Sequence, residues 1–163
     1  MQANCSTFCA ISDEGKKVEF PNDLDEGTYW KSAQGETALN AETEKVIEMK
    51  VKSSTIGHVA VGIAKKLESY ETYAHNRPSS YMIRFDADFF ALTKVKEMGF
   101  TPLSNDQEYN VKLVISLDSG NFKTFIDGVD TGYGVQNNEE MRNGEWFFTI
   151  SSLRKADIEI LQG

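Results

Sequence analysis

Two acidic side chains near the end of the chain have a spacing that suits carboxylate catalysis. Asp157 and Glu159 are two residues apart, so on a strand they would share one face of a sheet. Glycoside hydrolysis uses two such carboxyl groups, one on each side of the scissile bond. The pair stands alone, however, without a third acid beside it on the same strand. A solvated sheet face therefore explains these two acids better than catalysis does.

Three consecutive residues are of the types that bind sugar hydroxyls in galectins, namely His75, Asn76 and Arg77. Residues of one strand must be two apart to share a face, and the galectin residues have that spacing. Here the three are adjacent, and Trp146 follows Arg142 instead of preceding its charged partners. The sequence therefore does not predict a galectin-like site. Sugar binding in another arrangement stays the alternative function, because β-sandwiches host many binding sites.

Calcium is a further candidate ligand, suggested by Asp127, Asp130 and the acid-rich segment 136–145. The Asp127-Gly128 dipeptide is better explained as a two-residue hairpin turn, in which both residues need a positive φ. The sequence contains no nucleophile elbow, phosphate-binding loop, dinucleotide fingerprint or zinc-protease helix. We therefore predict a protein that is not an enzyme and that uses no metal and no cofactor.

The residue types that suit a binding surface are concentrated in two segments, 68–80 and 133–145. Tyrosine and arginine are enriched at interface hot spots, because each combines a large contact area with a polar end. On that basis the predicted partner-binding residues are Tyr70, Tyr73, His75, Asn76, Arg77 and Tyr133. The competing explanations are that the tyrosines of 68–80 only cover the edge of the fold and that 133–145 is an ordinary solvated loop.

Composition limits the partners and the compartment. The 163 residues carry 17 Lys and Arg against 25 Asp and Glu, a net charge of −8. Nucleic acids and anionic membranes are disfavoured as partners, since both attract positive charge. The start of the chain lacks the features of a signal peptide, and Cys5 and Cys9 are expected to be free thiols. The expected location is the cytosol, with the nucleus as the alternative.

The elements that must position these residues are strands. Apolar and other residues alternate along much of the chain from Thr43 onward, a pattern that predicts half-buried strands. Tyr109–Leu117 shows it best, and small residues on the second face of 58–64 indicate close packing there. We predict one domain over 1–163, an all-β antiparallel two-sheet sandwich, with a flexible N-terminus at 1–15. Residues 65–74 and 88–99 fit either a short helix or an ordered loop.

The segment LDSGNFKTFIDGVDTG (117–132) resembles the hairpin of SPRY domains, in which a strand ends in Phe-x-Asn-Gly and a further glycine follows. Here Phe125, Asp127, Gly128 and Gly132 occupy those positions, with Asp in place of Asn. EKVIEMKVKS, HVAVGIA and YMIR resemble the strands before this hairpin, and EWFFTISSL and DIEIL those after it. The resemblance covers about Thr43 to Leu161.

This resemblance implies a SPRY-like (B30.2-like) domain within the group of concanavalin A-like β-sandwiches. It also implies a non-enzymatic module that binds a protein or peptide through loops at one rim of the sandwich. Such a scaffold, in which rigid sheets present variable loops, is a common way to build a binding site. The alternative is a carbohydrate-binding, lectin-type domain with a sugar or other small molecule as its ligand.

Overall fold

The computed structural model describes residues 3–5, 10–20, 30–70, 79–85, 89–90, 93–95 and 103–163. These residues form fourteen strands and three short 3-10 turns, with no α-helix among them. None of the described helical turns has the length that a bilayer-spanning helix needs.

The strands form two antiparallel sheets. The six-stranded sheet has the order β1, β4, β13, β6, β7, β8. Its strands are β1 (Ala3–Cys5), β4 (Lys31–Gly35), β13 (Phe147–Ser152), β6 (Val59–Ala64), β7 (Ser80–Arg84) and β8 (Phe89–Phe90).

The eight-stranded sheet has the order β2, β3, β14, β5, β10, β11, β12, β9. Its strands are β2 (Ala10–Ser12), β3 (Lys17–Phe20), β14 (Ala156–Gln162), β5 (Lys45–Ser53), β10 (Tyr109–Ser116), β11 (Asn121–Ile126), β12 (Val129–Val135) and β9 (Thr93–Lys94).

The core lies between the two sheets and follows the alternation of the sequence. Along β10 every second residue from Tyr109 to Ile115 is buried, and the residues between them are half-buried. One continuous apolar cluster contains Leu113 and Val111 of this sheet together with Val61 and Ile150 of the other. This arrangement confirms the predicted two-sheet sandwich. The expected alternation of burial holds for β10 of the eight-stranded sheet, but it is wrong for β4, β6 and β13 of the six-stranded sheet, in which every residue is buried.

Strand β6 is buried on both faces, as its small residues predicted. All six of its residues are buried. On the face turned away from the main core, Ala60 and Met82 form a second apolar cluster against which Leu67 packs. A segment that follows β6 therefore covers this face of the six-stranded sheet.

The predicted hairpin turn is present between β11 and β12. Asp127 has φ +49° and Gly128 φ +80°, so both central residues are left-handed, as a type I′ turn requires. The Asp127 carboxylate accepts a hydrogen bond from the backbone N–H of Asn110 at 2.8 Å. The SPRY-like segment thus forms the hairpin that its sequence indicated.

Within 88–99 the structure describes 89–90 and 93–95, where Phe89–Phe90 and Thr93–Lys94 are strands and the helical option is wrong. These short segments pair with β7 and β12, so sheet pairing decides their conformation. In the other ambiguous stretch, residues 65–70 form a loop, and 71–74 lie outside the described residues. Near the start, where we expected a flexible N-terminus, β1 and β2 are paired in the two sheets.

Candidate binding rim

Three loops lie at one end of the sandwich, and the described segment 65–70 begins there. The loops connect β4 to β5 (36–44), β10 to β11 (117–120) and β12 to β13 (136–146), and the segment 65–70 follows β6. The strand registers bring their ends together, since Ala64 is opposite both Ser80 and Phe147, and Ile115 is opposite Lys45. We call these three loops and the segment 65–70 the rim.

The longest fully described loop of the rim, 136–146, is fastened to the 117–120 turn. The backbone N–H of Asn138 donates to the Gly120 carbonyl at 2.9 Å. The Arg142 guanidinium donates to the Ser119 carbonyl at 3.1 Å and also to the side chain of Asn137. A 3-10 turn at Glu140–Arg142 places Met141 in the core. The loop therefore has a defined conformation instead of extending freely into solvent.

Tyr81 connects the same loop to the six-stranded sheet. Its hydroxyl donates to the Glu140 carboxylate at 2.9 Å and lies 3.0 Å from Asn138 Oδ1. Burial, followed by the hydrogen bond and negative charge of Glu140, raises the pKa of Tyr81 to about 12. The phenol is therefore a neutral hydrogen-bond donor at physiological pH, a structural tie and not a base.

Trp146 lies beneath the rim and is fully buried. Its ring is 5.3 Å from the Tyr81 ring, centroid to centroid, and the Lys65 ammonium lies 4.2 Å from the indole centroid. Its backbone carbonyl accepts a hydrogen bond from the N–H of Leu39 at 2.8 Å. Trp146 thus links its own loop to the 36–44 loop and to the start of the 65–70 segment.

Gln34 holds the start of the 65–70 segment, a role that was not predicted from the sequence. This buried side chain donates to the Lys65 carbonyl and to Thr149 Oγ1, each at 3.0 Å, and accepts from the Leu67 N–H at 3.0 Å. The signal that could have found it is a polar amide inside a short segment of small residues, Ser32 to Gly35. A buried amide of this kind needs hydrogen-bond partners.

Two of the predicted binding residues are described by the structure. Tyr70 is half-buried in the 65–70 segment, and its carbonyl accepts a hydrogen bond from the Ser32 N–H at 2.8 Å. Tyr133 belongs to β12 and not to a loop, because its backbone pairs with Lys94 of β9. The remaining four, which are Tyr73, His75, Asn76 and Arg77, lie outside the described residues.

The other candidate chemistries find little support in the described part of the chain. No group of three or more His, Cys, Asp or Glu side chains there could hold a metal ion. Asp130 Oδ1 instead accepts a hydrogen bond from the Gly132 N–H at 2.9 Å, and the Asp127 carboxylate accepts one from the Asn110 N–H. Asp157 and Glu159 are exposed on the outer face of the eight-stranded sheet, as expected.

These two acids line a surface groove of about 260 Å³. The groove has lysines as well as acids around it, and Lys50 lies 3.8 Å from Glu108 as an ion pair. Its lining residues are Lys17, Glu19, Lys50, Lys52, Glu108, Asp157, Ile158 and Glu159. None of them is aromatic, so this groove offers no ring on which a sugar could stack.

Comparison with known proteins identifies the fold. No family model and no curated protein matches the chain. Among solved structures, the SPRY domain of human HERC1 is similar with a TM-score of 0.67 at 10% identity, covering 98% of this chain and 94% of that one. The TRIM65 PSpry domain has a TM-score of 0.62 at 10% identity and covers 100% and 93%.

A carbohydrate recognition domain has a comparable score. The potassium-bound form of the Emp46p domain has a TM-score of 0.60 at 13% identity and covers 99% of this chain and 86% of that one. The two SPRY structures extend the likeness beyond Thr43–Leu161 to nearly the whole chain. The chain therefore has a SPRY-like β-sandwich fold.

Proposed function

We propose that this chain is a non-enzymatic binding module that recognises a protein or peptide partner through the rim. The observation that carries the proposal is the assembly of the 36–44, 117–120 and 136–146 loops at one end of the sandwich, joined to one another and to Lys65 by hydrogen bonds and by contacts of Tyr81 and Trp146. A surface that is ordered before binding loses less conformational entropy when a partner docks.

The fold supports a protein partner, because SPRY domains, its structural neighbours, are protein-interaction modules. The rim also offers exposed polar side chains in 136–145, and its segment 65–70 contains the half-buried Tyr70. Exposed polar groups around partly buried aromatic side chains are typical of protein interfaces.

The charge of the rim disfavours a nucleic acid as the partner. Its described acidic side chains are all exposed and outnumber the basic ones: Glu36, Glu42, Glu44, Glu68, Asp118, Glu139, Glu140 and Glu145 against Lys65, Lys66 and Arg142. Of the basic side chains, Lys65 and Arg142 donate to backbone carbonyls within the rim. Phosphate groups would therefore meet mostly negative charge.

Affinity capture from a native lysate tests the proposal. The parent is compared with a triple variant of the 68–80 segment, Tyr70→Ala, Tyr73→Ala and Arg77→Ala, and with a second variant, Gln136→Ala and Glu139→Ala. Val129→Ser is the matched control, because Val129 is exposed beside the hairpin turn at the opposite end of the sandwich.

We expect the parent and the control to capture the same proteins and at least one rim variant to lose them. A single hot-spot residue is worth about 2 kcal/mol or more, roughly a thirtyfold loss of affinity. The melting temperature of each variant should stay close to that of the parent, because surface side chains contribute little to stability. Equal capture by stable rim variants would place the binding surface elsewhere. A triple variant that melts far below the parent would show that those tyrosines are structural cover.

Carbohydrate binding is the second candidate, favoured by the similarity to the Emp46p carbohydrate recognition domain. A glycan array separates the two functions. A specific, saturable signal that the rim variants abolish would assign a sugar to the rim. No signal across the array would leave the protein partner as the better-supported function.

A further inference from the structure

The ammonium group of Lys65 occupies a small site formed by the 136–146 loop. Its floor is the face of the Trp146 ring, 4.2 Å away at the centroid, and its wall is the Asn143 carbonyl, to which the ammonium donates a hydrogen bond. The third side is open because residue 144 is a glycine. A Cβ atom there would overlap the Lys65 nitrogen.

The backbone of Lys65 is fixed independently of this loop. Lys65 directly follows β6, and its N–H donates to the Ser79 carbonyl at 3.0 Å. Its own carbonyl accepts the side-chain amide of Gln34 at 3.0 Å. The side chain therefore reaches the 136–146 loop from a rigid base.

Beyond Lys65, the contacts of the segment 143–145 are local. The Asn143 N–H donates to the Glu140 carbonyl at 3.1 Å and its side-chain amide to the Glu139 carbonyl at 3.0 Å, so both join it to its own 3-10 turn and not to another element. Residues 142–145 are exposed, whereas Met141 and Trp146 on either side are buried. Gly144 has φ +77°, a conformation that glycine adopts without penalty but does not itself enforce. Part of the contact depends on charge, since the quadrupole of an aromatic ring attracts a cation to its face.

We infer that Lys65 is a positioning residue of the rim, whose positive charge holds residues 143–145 in the conformation that the partner meets. The inference rests on the proposed function only where it identifies this segment as partner surface. Lys65 acts through the loop, by keeping it ordered before binding.

Hydrogen exchange of the free protein tests the inference without any partner. Lys65→Met keeps an apolar stem and removes the charge. The matched control is Lys66→Met, which removes the same charge from the exposed neighbouring residue. In Lys65→Met we expect amide exchange in the segment 143–146, measured at the hydrogen-bonded Asn143 N–H, to be about tenfold faster than in the parent. The reason is the loss of one partly desolvated cation–π contact. Exchange in β10 should not change, and Lys66→Met should behave as the parent.

Lys65→Arg separates charge from shape, because arginine is also a cation that packs on aromatic faces. It should keep exchange at 143–146 within about threefold of the parent. Unchanged exchange in Lys65→Met would overturn the inference, and so would equal acceleration in β10, which would indicate global destabilisation. If exchange at 143–146 were as fast in Lys65→Arg as in Lys65→Met, the positive charge would not be what holds the loop.

The capture experiment then distinguishes this inference from the proposed function. If Lys65→Met exchanges faster only at 143–146 and captures less partner, both the inference and the proposed function stand. If exchange rises there and capture is unchanged, Lys65 orders the loop but the loop is not the partner surface, and the proposed rim is wrong at this segment.

Discussion

Replacing Gly62 by alanine should destabilise the protein far more than its strand position alone suggests. Gly62 is opposite Met82 in the β6–β7 pair, and its backbone has no left-handed φ. A Cβ atom at this position would overlap the Tyr81 carbonyl oxygen and lie 2.7 Å from the Met82 Cα. Both obstacles are backbone atoms of a buried strand, so a side-chain rotation cannot relieve the contact.

The size of the effect follows from that geometry. Carbon atoms pack at about 3.5–4.0 Å, so β7 would have to retreat by roughly 1 Å. Overpacking of this kind costs about 1–3 kcal/mol, and each ladder hydrogen bond that the retreat weakens adds about 0.5–1.5 kcal/mol. We therefore expect Gly62→Ala to cost about 3–5 kcal/mol, a large part of the roughly 5–15 kcal/mol that stabilises a typical domain.

Gly128→Ala is the matched control, because its cost has a different origin. A Cβ at Gly128 meets nothing within 4 Å, so only the φ of +80° penalises it. A left-handed residue other than glycine costs about 1–2 kcal/mol.

Equilibrium urea unfolding, followed by the emission of the two tryptophans Trp30 and Trp146, measures both variants against the parent. The expected order of stability is parent, Gly128→Ala, Gly62→Ala, with at least about 1 kcal/mol between the two variants. A Gly62→Ala protein as stable as Gly128→Ala would refute the reasoning, since it would show that β6 and β7 are not in such close contact.

Three further predictions concern the core, the rim and the hairpin. Leu113→Ala empties a fully buried site in β10 and should cost about 2–5 kcal/mol in the same urea assay; a loss below about 1 kcal/mol would contradict that packing. Tyr81 keeps its proton in the folded protein up to about pH 12, whereas an unfolded tyrosine ionises near pH 10, so its contribution is complete below about pH 10 and is lost as the pH rises from about 10 to 12. Unfolding measured near pH 9 and near pH 11 should therefore show a smaller loss of stability in Tyr81→Phe than in the parent, and equal losses would show that the fold does not raise the pKa of Tyr81. Asp127→Asn should change the melting temperature by no more than about 2 °C, since Asn-Gly favours the same turn and its amide oxygen can still accept the Asn110 N–H; a larger drop would mean that the charge of Asp127 is needed.

Part of the candidate site could be predicted because its signals are local. The polar composition of 133–145 predicts a surface loop, and 136–146 is a loop in the structure, although Tyr133 itself belongs to β12. The contacts that order this loop could not be predicted. Tyr81 is 59 residues from Glu140 in the sequence, and Lys65 is 78 residues from Asn143. No pattern within either segment indicates such a partner.

The sequence by itself determined the strands of the second half, their buried faces and the Asp127-Gly128 hairpin. Alternation and turn chemistry are properties of neighbouring residues, and they persist wherever the strand is placed. Pairing between distant segments decided the remainder. Phe89–Phe90 and Thr93–Lys94 became strands because β7 and β12 present edges to them. Three features exist only once the six-stranded sheet has formed, because each joins segments from different parts of the chain. They are the second buried face of β6, the amide contacts of Gln34 and the contact of Lys65 with Trp146.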